Sequence, residues 1–125
     1  MRVVDSSGWL EYFADGPNAD HFAEAIETSA ELIVPTLSLY EVFRRILQQR
    51  NESEALQAVA LMQEGKVVEL SSTIALSAAR ISTEVHLPMA DSIILATAYS
   101  HDATLLTQDS DFEGLEGVKL FPKSG

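Results

Sequence analysis

The strongest constraint on the fold is an alternation along the chain. Short runs of aliphatic residues are separated by longer stretches whose apolar residues recur at helical spacing. Residues 2–5 form a strand-like run ending in Asp5, and Ser6-Ser7 open a short helical segment, Gly8 to Phe13. Asp15-Gly16-Pro17-Asn18 is a turn cluster. Residues 19–28 carry Phe22, Ala23 and Ile26 in helical register, and Leu32-Ile33-Val34 is a strand stopped by Pro35. A helix over about 37–50 sets Leu39, Val42, Phe43, Ile46 and Leu47 on its inward stripe. A second, about 52–65, offers Leu56, Val59, Ala60 and Met62 and stops at Gly65. Lys66 to Leu70 reads as a strand, 72–86 as a helix, and Met89 to Ser100 as a helix apolar almost all round. Thr104-Leu105-Leu106 and Val118-Lys119-Leu120 complete the strands.

Strands alternating with helices predict a parallel sheet covered on both faces. The expected fold is therefore a three-layer α/β/α sandwich of about five strands with right-handed crossovers. Its 125 residues suit one domain spanning 1–125, and no repeat or linker divides it. Ligands of such sheets bind beyond the carboxyl ends of the strands. Asp5 falls at the first of those ends, and Asp109 lies just past the fourth.

Composition narrows the chemistry. The chain lacks cysteine, which excludes disulfides, thiolate metal sites and a cysteine nucleophile. That absence, the lack of a signal-peptide core after Met1-Arg2, and apolar stretches too short to cross a bilayer together predict a cytoplasmic protein with no membrane attachment. Net charge is −11, from 8 Lys+Arg against 19 Asp+Glu. Taken alone, that balance speaks against a polyanionic substrate, because phosphates are normally met by a basic surface. An acidic surface can still serve solubility and a basic protein partner, with RNA held by cations and a few arginines.

Each acidic residue of interest has an ordinary use. Asp5 suits an N-cap for the following helix. Glu41 precedes Arg45 by four residues, the favourable order for an ion pair. Asp91 lies in a first helical turn, where the macrodipole welcomes negative charge, and Asp109 and Asp111 flank Ser110 in a turn-like loop. Together they say more. In a parallel sandwich, strand ends and the starts of the next helices share one edge, so Asp5, Glu41, Asp91 and Asp109 converge there. Two carboxylates 4 Å apart repel by roughly 4 kcal/mol at an effective dielectric of 20. A cluster of four therefore holds protons or recruits a cation. Oxygen ligands without His or Cys favour Mg²⁺ or Mn²⁺, and such an ion activates water and orients a phosphodiester.

Four stretches then carry a family resemblance: Val3-Val4-Asp5-Ser6-Ser7, Ser38-Leu39-Tyr40-Glu41-Val42, Ala90-Asp91-Ser92-Ile93-Ile94-Leu95-Ala96-Thr97-Ala98 and Leu106-Thr107-Gln108-Asp109-Ser110-Asp111-Phe112. In that order they resemble the motifs of PIN domains, over essentially the whole chain. The short single-domain form is similar to the VapC-type toxins of toxin–antitoxin pairs, Mg²⁺-dependent endoribonucleases held inactive by a small antitoxin and commonly homodimeric. The resemblance implies Asp5 and Asp91 as main metal ligands, with Glu41 and Asp109 completing the catalytic set. Asp111 resembles an accessory acid, and which of Asp109 and Asp111 lies nearer the ion stays open. Ser7 and Thr107 match hydroxyl positions that hydrogen-bond the carboxylates or the attacking water. The implied reaction is in-line attack of metal-activated water on RNA.

The same residues exclude two other acidic α/β folds. A receiver domain needs an acceptor aspartate at the end of a middle strand, where this chain has Glu69-Leu70-Ser71. A haloacid-dehalogenase-type phosphatase needs two aspartates around the first strand end, which Asp5-Ser6-Ser7 does not supply. A catalytically silent PIN-like module binding protein or RNA is the remaining alternative; it gives no reason to keep four repelling carboxylates. His21, His86 and His101 lack ligand spacing, and His101 suits a helix C-terminus. Trp9 and Tyr12 suit core packing or a partner contact. Arg44 and Arg45 suit an ion pair with Glu41 or a solvated face better than RNA. On the 52–65 helix, Leu56 and Met62 suit either core or partner.

Overall fold

The computed structural model describes residues 1–123. Its strands are β1 (Arg2–Val4), β2 (Leu32–Pro35), β3 (Lys66–Val68), β4 (Thr104–Thr107) and β5 (Val118–Leu120). They form one sheet in the order β3-β2-β1-β4-β5, with every neighbouring pair parallel. The helices are α1 (Ser6–Phe13), α2 (Ala19–Glu27), α3 (Thr36–Gln49), α4 (Glu52–Met62), α5 (Ser72–Val85) and α6 (Met89–Ser100).

The period of two along the strands builds the three layers. Val4, Leu32, Val34 and Leu106 face one side, where they pack with Trp9, Phe22, Val42 and Met62 from α1 to α4. Val3, Ile33 and Leu105 face the other, against Ile94, Leu95 and Ala98 of α6, whose outer side meets Ile74 and Ala78 of α5. This is the expected α/β/α sandwich. Being covered by both the sheet and α5, α6 is buried at Ser92 and from Ile94 to Ala98, which explains the largely apolar middle of its sequence. Met89, Tyr99 and Ser100 at its ends are exposed.

Several expected positions differ. Leu47 and Leu56 are 44% and 54% exposed, and Ala60 is exposed as well. The inward stripe of α4 runs instead through Ala55, Ala58 and Met62. Small residues there let α4 lie close against its neighbours, so the largest side chain of a short helix is a poor guide to its buried face. Met62 is fully buried and therefore a core residue. The helix ends there, three residues before Gly65, and β3 ends at Val68, so Glu69 and Leu70 lie beyond it.

The strand order places the site. The chain lays β1, β2 and β3 outward in one direction and returns to set β4 on the other flank of β1. The crevice at such a reversal, beyond the carboxyl ends of the two diverging strands, is where ligands of open parallel sheets bind. Here it lies between β1 and β4. Val4 pairs with Leu106, and the Asp5 amide donates to the Leu106 carbonyl at 3.1 Å, extending the ladder by one residue. Asp5 and Thr107 consequently stand side by side at the crevice.

Candidate metal centre

Asp5 leaves β1 and immediately caps α1. Its Oδ1 accepts from the Gly8 amide at 3.0 Å and from the Ser7 hydroxyl at 2.8 Å. Its Oδ2 accepts from Thr107 Oγ1 at 2.7 Å. Capping is therefore one of its roles, and the carboxylate is 2% exposed. Burial pushes its pKa up to about 6; the three hydrogen bonds pull the other way, and the charge of Asp109 adds to the rise.

Thr107 joins the strand to the loop that follows. While donating to Asp5, its hydroxyl accepts from the Asp109 amide at 2.9 Å, and Ser7 Oγ lies 3.5 Å away. Asp109 Oδ1 in turn accepts from the Asp111 amide at 2.9 Å, as an Asp turn does. The effect is to turn Asp109 and Asp111 toward Asp91 in the first turn of α6. The carboxylates of Asp91, Asp109 and Asp111 offer oxygens within 4.8 Å of one another. Asp91 is half-buried and has its pKa raised to about 7, first by burial and then by the charges of Asp109, Asp5, Asp111 and Glu41. All four neighbours act on it in the same sense. That agreement is the electrostatic mark of one shared site.

Glu41, in the second turn of α3, closes the side opposite the loop. Its Oε1 accepts from Ser6 Oγ at 2.6 Å. The anticipated pair with Arg45 is not among the salt bridges of the described residues; the Ser6 hydroxyl takes that carboxylate instead. Asp5, Ser7, Glu41, Asp91 and Asp109 line one cleft of about 280 Å³, with Arg44 and Arg45 on its rim. Asp5, Glu41, Asp91 and Asp109 therefore meet at one edge, and Thr107 is bonded to the first of them. Asp111 is exposed but completes the tightest triplet.

Some participants escaped the sequence reading. Ser6 is one: its position beside Asp5 was the only signal, and nothing local names a partner 35 residues away. The buried pair Asn18 and Gln108, joined at 3.0 Å, is another. Asn18 Nδ2 also reaches the carbonyls of Phe121 and Pro122, tying the end of the described chain to the start of α2.

The donor set is composed of carboxylates and hydroxyls, hard oxygens suited to Mg²⁺ or Mn²⁺. The raised pKa values of Asp5 and Asp91 express burial first and the charge of neighbouring carboxylates second, and a bound cation would offset both. The residues therefore fit a divalent ion.

Compared with known proteins, the sequence matches the PIN-domain family over residues 2–118. The chain is a PIN domain. A search of curated proteins by sequence finds no match. Solved structures similar to this PIN domain include a toxin–antitoxin complex from Klebsiella pneumoniae, with TM-score 0.82, 22% identity, and coverage of 98% of this chain and 100% of that one. VapC20 of Mycobacterium tuberculosis, described as a sarcin–ricin loop cleaving toxin, aligns with TM-score 0.76 and 13% identity over 93% of this chain and 95% of that one. VapBC2 from Rickettsia felis, bound to a DNA fragment from its promoter, gives TM-score 0.74 and 12% identity over 97% of each chain. At these identities the likeness extends to the fold. Among the described residues no helix is long and apolar enough to cross a membrane.

Proposed function

We propose that this PIN domain is a metal-dependent endoribonuclease and the toxin of a toxin–antitoxin pair. The observation that carries the reading is the convergence of Asp5, Glu41, Asp91 and Asp109 on one cleft at the β1–β4 crevice. Asp5, Glu41, Asp91 and Asp109 are the catalytic acids and would hold Mg²⁺, with Mn²⁺ as a substitute; Asp111, Ser7 and Thr107 are accessory. A bound ion at such a site lowers the pKa of water and neutralises charge developing on a phosphate.

The chain's own residues supply the positioning. Ser7, Thr107 and the Gly8 amide fix the Asp5 carboxylate. The Ser6 hydroxyl orients Glu41. Arg44 and Arg45 border the cleft where a phosphate would enter. Because the pKa of Asp91 lies near 7 without metal, ion binding at neutral pH must displace a proton from it.

Structural neighbours that are toxins or toxin–antitoxin complexes support a small antitoxin as partner and RNA as substrate. A cytoplasmic homodimer is the corresponding assembly. The test is calorimetric titration with Mn²⁺ alongside an RNA cleavage assay, comparing the wild type with Asp5→Asn. The variant is expected to stay folded while losing ion binding and cleavage; equal cleavage by the two proteins removes the catalytic role of Asp5. Growth arrest on expression, relieved by co-expressing a small basic protein from the adjoining reading frame, is expected of the toxin. Abundant, active and harmless protein would defeat that part.

A further inference from the structure

Acidic residues outnumber basic ones by 19 to 8 in this chain, yet its cations are unevenly spread. Arg2 is engaged by Glu24 at 3.2 Å and Glu31 at 3.7 Å, at the N-terminal end of β1. Four of the other cations, Arg44, Arg45, Arg50 and Lys123, border two hollows on one side of the molecule. The smaller is the acidic cleft. The larger, about 620 Å³, runs between α1 and the α3–α4 hairpin. Ser7, Leu10 and Arg45 line both, so the two hollows form one continuous trough with the carboxylates at one end.

The anions in the larger hollow are already committed. Glu11 accepts from the Asn18 amide at 2.7 Å and from Gln108 Nε2 at 3.4 Å. Glu54 accepts from Asn51 Nδ2 at 3.0 Å as part of the α4 cap. Arg44, Arg45 and Arg50, by contrast, take part in no salt bridge among the described residues. Arg45, Arg50 and Lys123 against the carboxylates of Glu11 and Glu54 leave this wall with a small local excess of positive charge on a strongly acidic protein. From Arg45 to Gln49, the end of α3, the helix advances about 6 Å at 1.5 Å per residue, and Arg50 follows as its C-cap. The two arginines are thus spaced by roughly two nucleotide steps at the ~3.4 Å rise of a stacked strand. Lys123 reaches the same wall because Asn18 anchors the Phe121 and Pro122 carbonyls just before it.

We propose that this trough is the track of a single RNA strand leaving the acidic cleft, with Arg45, Arg50 and Lys123 holding its phosphates. The inference rests on the ribonuclease reading for the choice of RNA and adds where the strand runs. It also resolves the charge conflict in the sequence: a net-acidic protein meets a polyanion through one locally basic channel, and repels it elsewhere.

The test separates binding from catalysis. A fluorescein-labelled single-stranded RNA 12-mer is titrated in EDTA and read by anisotropy across a series of KCl concentrations. Three phosphate contacts give a log–log salt slope of about −2 for a single strand. Arg50→Glu and Lys123→Glu are each expected to weaken binding roughly tenfold at low salt and to flatten the slope. Gln57→Arg, which adds a cation to the same wall, is expected to tighten it. Arg80→Glu on α5 makes the same charge change away from the trough and is expected to leave affinity unchanged. With Mg²⁺ present, Arg50→Glu is expected to raise KM for the 12-mer while leaving cleavage of a dinucleotide unaltered. Equal effects of Arg50→Glu and Arg80→Glu overturn the track, as does unaltered RNA affinity in Arg50→Glu accompanied by loss of a protein complex. Binding that follows the expected pattern with no cleavage of either substrate by the wild type would leave the track standing and remove the ribonuclease reading instead.

Discussion

Asp5 and Asp91 occupy the same cleft, but the protein holds them by different means. Asp5 is locked: both its oxygens accept hydrogen bonds, one set from the turn it caps and one from the neighbouring strand. Asp91 has no such partner among the hydrogen bonds of the described residues and faces Asp109 and Asp111 across a few ångströms. The first carboxylate is built into the fold; the second is held against repulsion by the backbone of α6 and the loop after β4. A rigid acid beside a strained cluster gives a site already shaped for a cation, in which ion binding relieves strain on one side without reorganising the other.

The largest expected effects come from removing either charge. Asp5→Asn and Asp91→Asn should each reduce RNA cleavage by more than about 100-fold, beyond the 10–100-fold typical of residues that only support a ligand. Discontinuous assay of a labelled RNA in Mg²⁺ measures both, and activity in Asp91→Asn within tenfold of wild type would break the pairing. Thr107→Val tests how Asp5 is held. It removes the 2.7 Å bond to Oδ2 and the acceptor for the Asp109 amide together, at nearly constant volume. A loss of about 10–100-fold in Mn²⁺ affinity is expected, with Thr107→Ser recovering most of it. Unchanged Mn²⁺ affinity in Thr107→Val would mean that the Thr107 hydroxyl does not hold Asp5 for the ion.

In metal-free protein the same two positions should separate in sign. Asp5→Ala deletes an N-cap and should cost about 0.5–2 kcal/mol in urea unfolding. Asp91→Asn deletes a charge that the folded state disfavours and should raise the midpoint in EDTA at about pH 8. Destabilisation by both would show that the cluster is held by contacts beyond those described above.

How much of this was legible beforehand depends on the kind of contact. The order of elements followed from hydrophobic period and turn residues, and the shared edge followed from parallel topology, so four carboxylates far apart in sequence could be placed together. Thr107 was marked only by the family resemblance; that its hydroxyl reaches Asp5 across 102 residues is a fact of the strand pairing. Ser6 was not, since its bond to Glu41 depends on the rotation of α1 against α3, which tertiary packing sets. Gly8 contributes to that rotation: a Cβ there would lie 2.7 Å from Val4 Cγ1 and 2.8 Å from Phe22. On α4 the sequence left Leu56 and Met62 open between core and surface; the fold exposes Leu56 and buries Met62, because Ala55 and Ala58 carry the packing. The unpaired arginines were hidden by a favourable local spacing, Glu41 to Arg45, that the fold did not use.

The smallest expected effect is on pH dependence, and its sign distinguishes the two carboxylates from ordinary salt-bridged acids. Both have folded-state pKa values raised above the usual 3.8, to about 6 for Asp5 and about 7 for Asp91. The folded protein therefore binds more protons than the unfolded chain between those values. Its stability from these groups is complete below about pH 4 and is lost as pH rises, through about 6 for Asp5 and about 7 for Asp91. A divalent cation reverses this, because it binds the ionised carboxylates and must displace their protons below neutrality. The rise in melting temperature on adding Mn²⁺ should accordingly be larger at about pH 8 than at about pH 5.5. In Asp91→Asn the metal-free decline should end near pH 6, leaving only the Asp5 component. Thermal melts in EDTA and in Mn²⁺ across that range measure both. A Mn²⁺ effect that is the same at the two pH values would mean that the ion sits away from Asp5 and Asp91, and the cluster would then owe its shape to the fold alone.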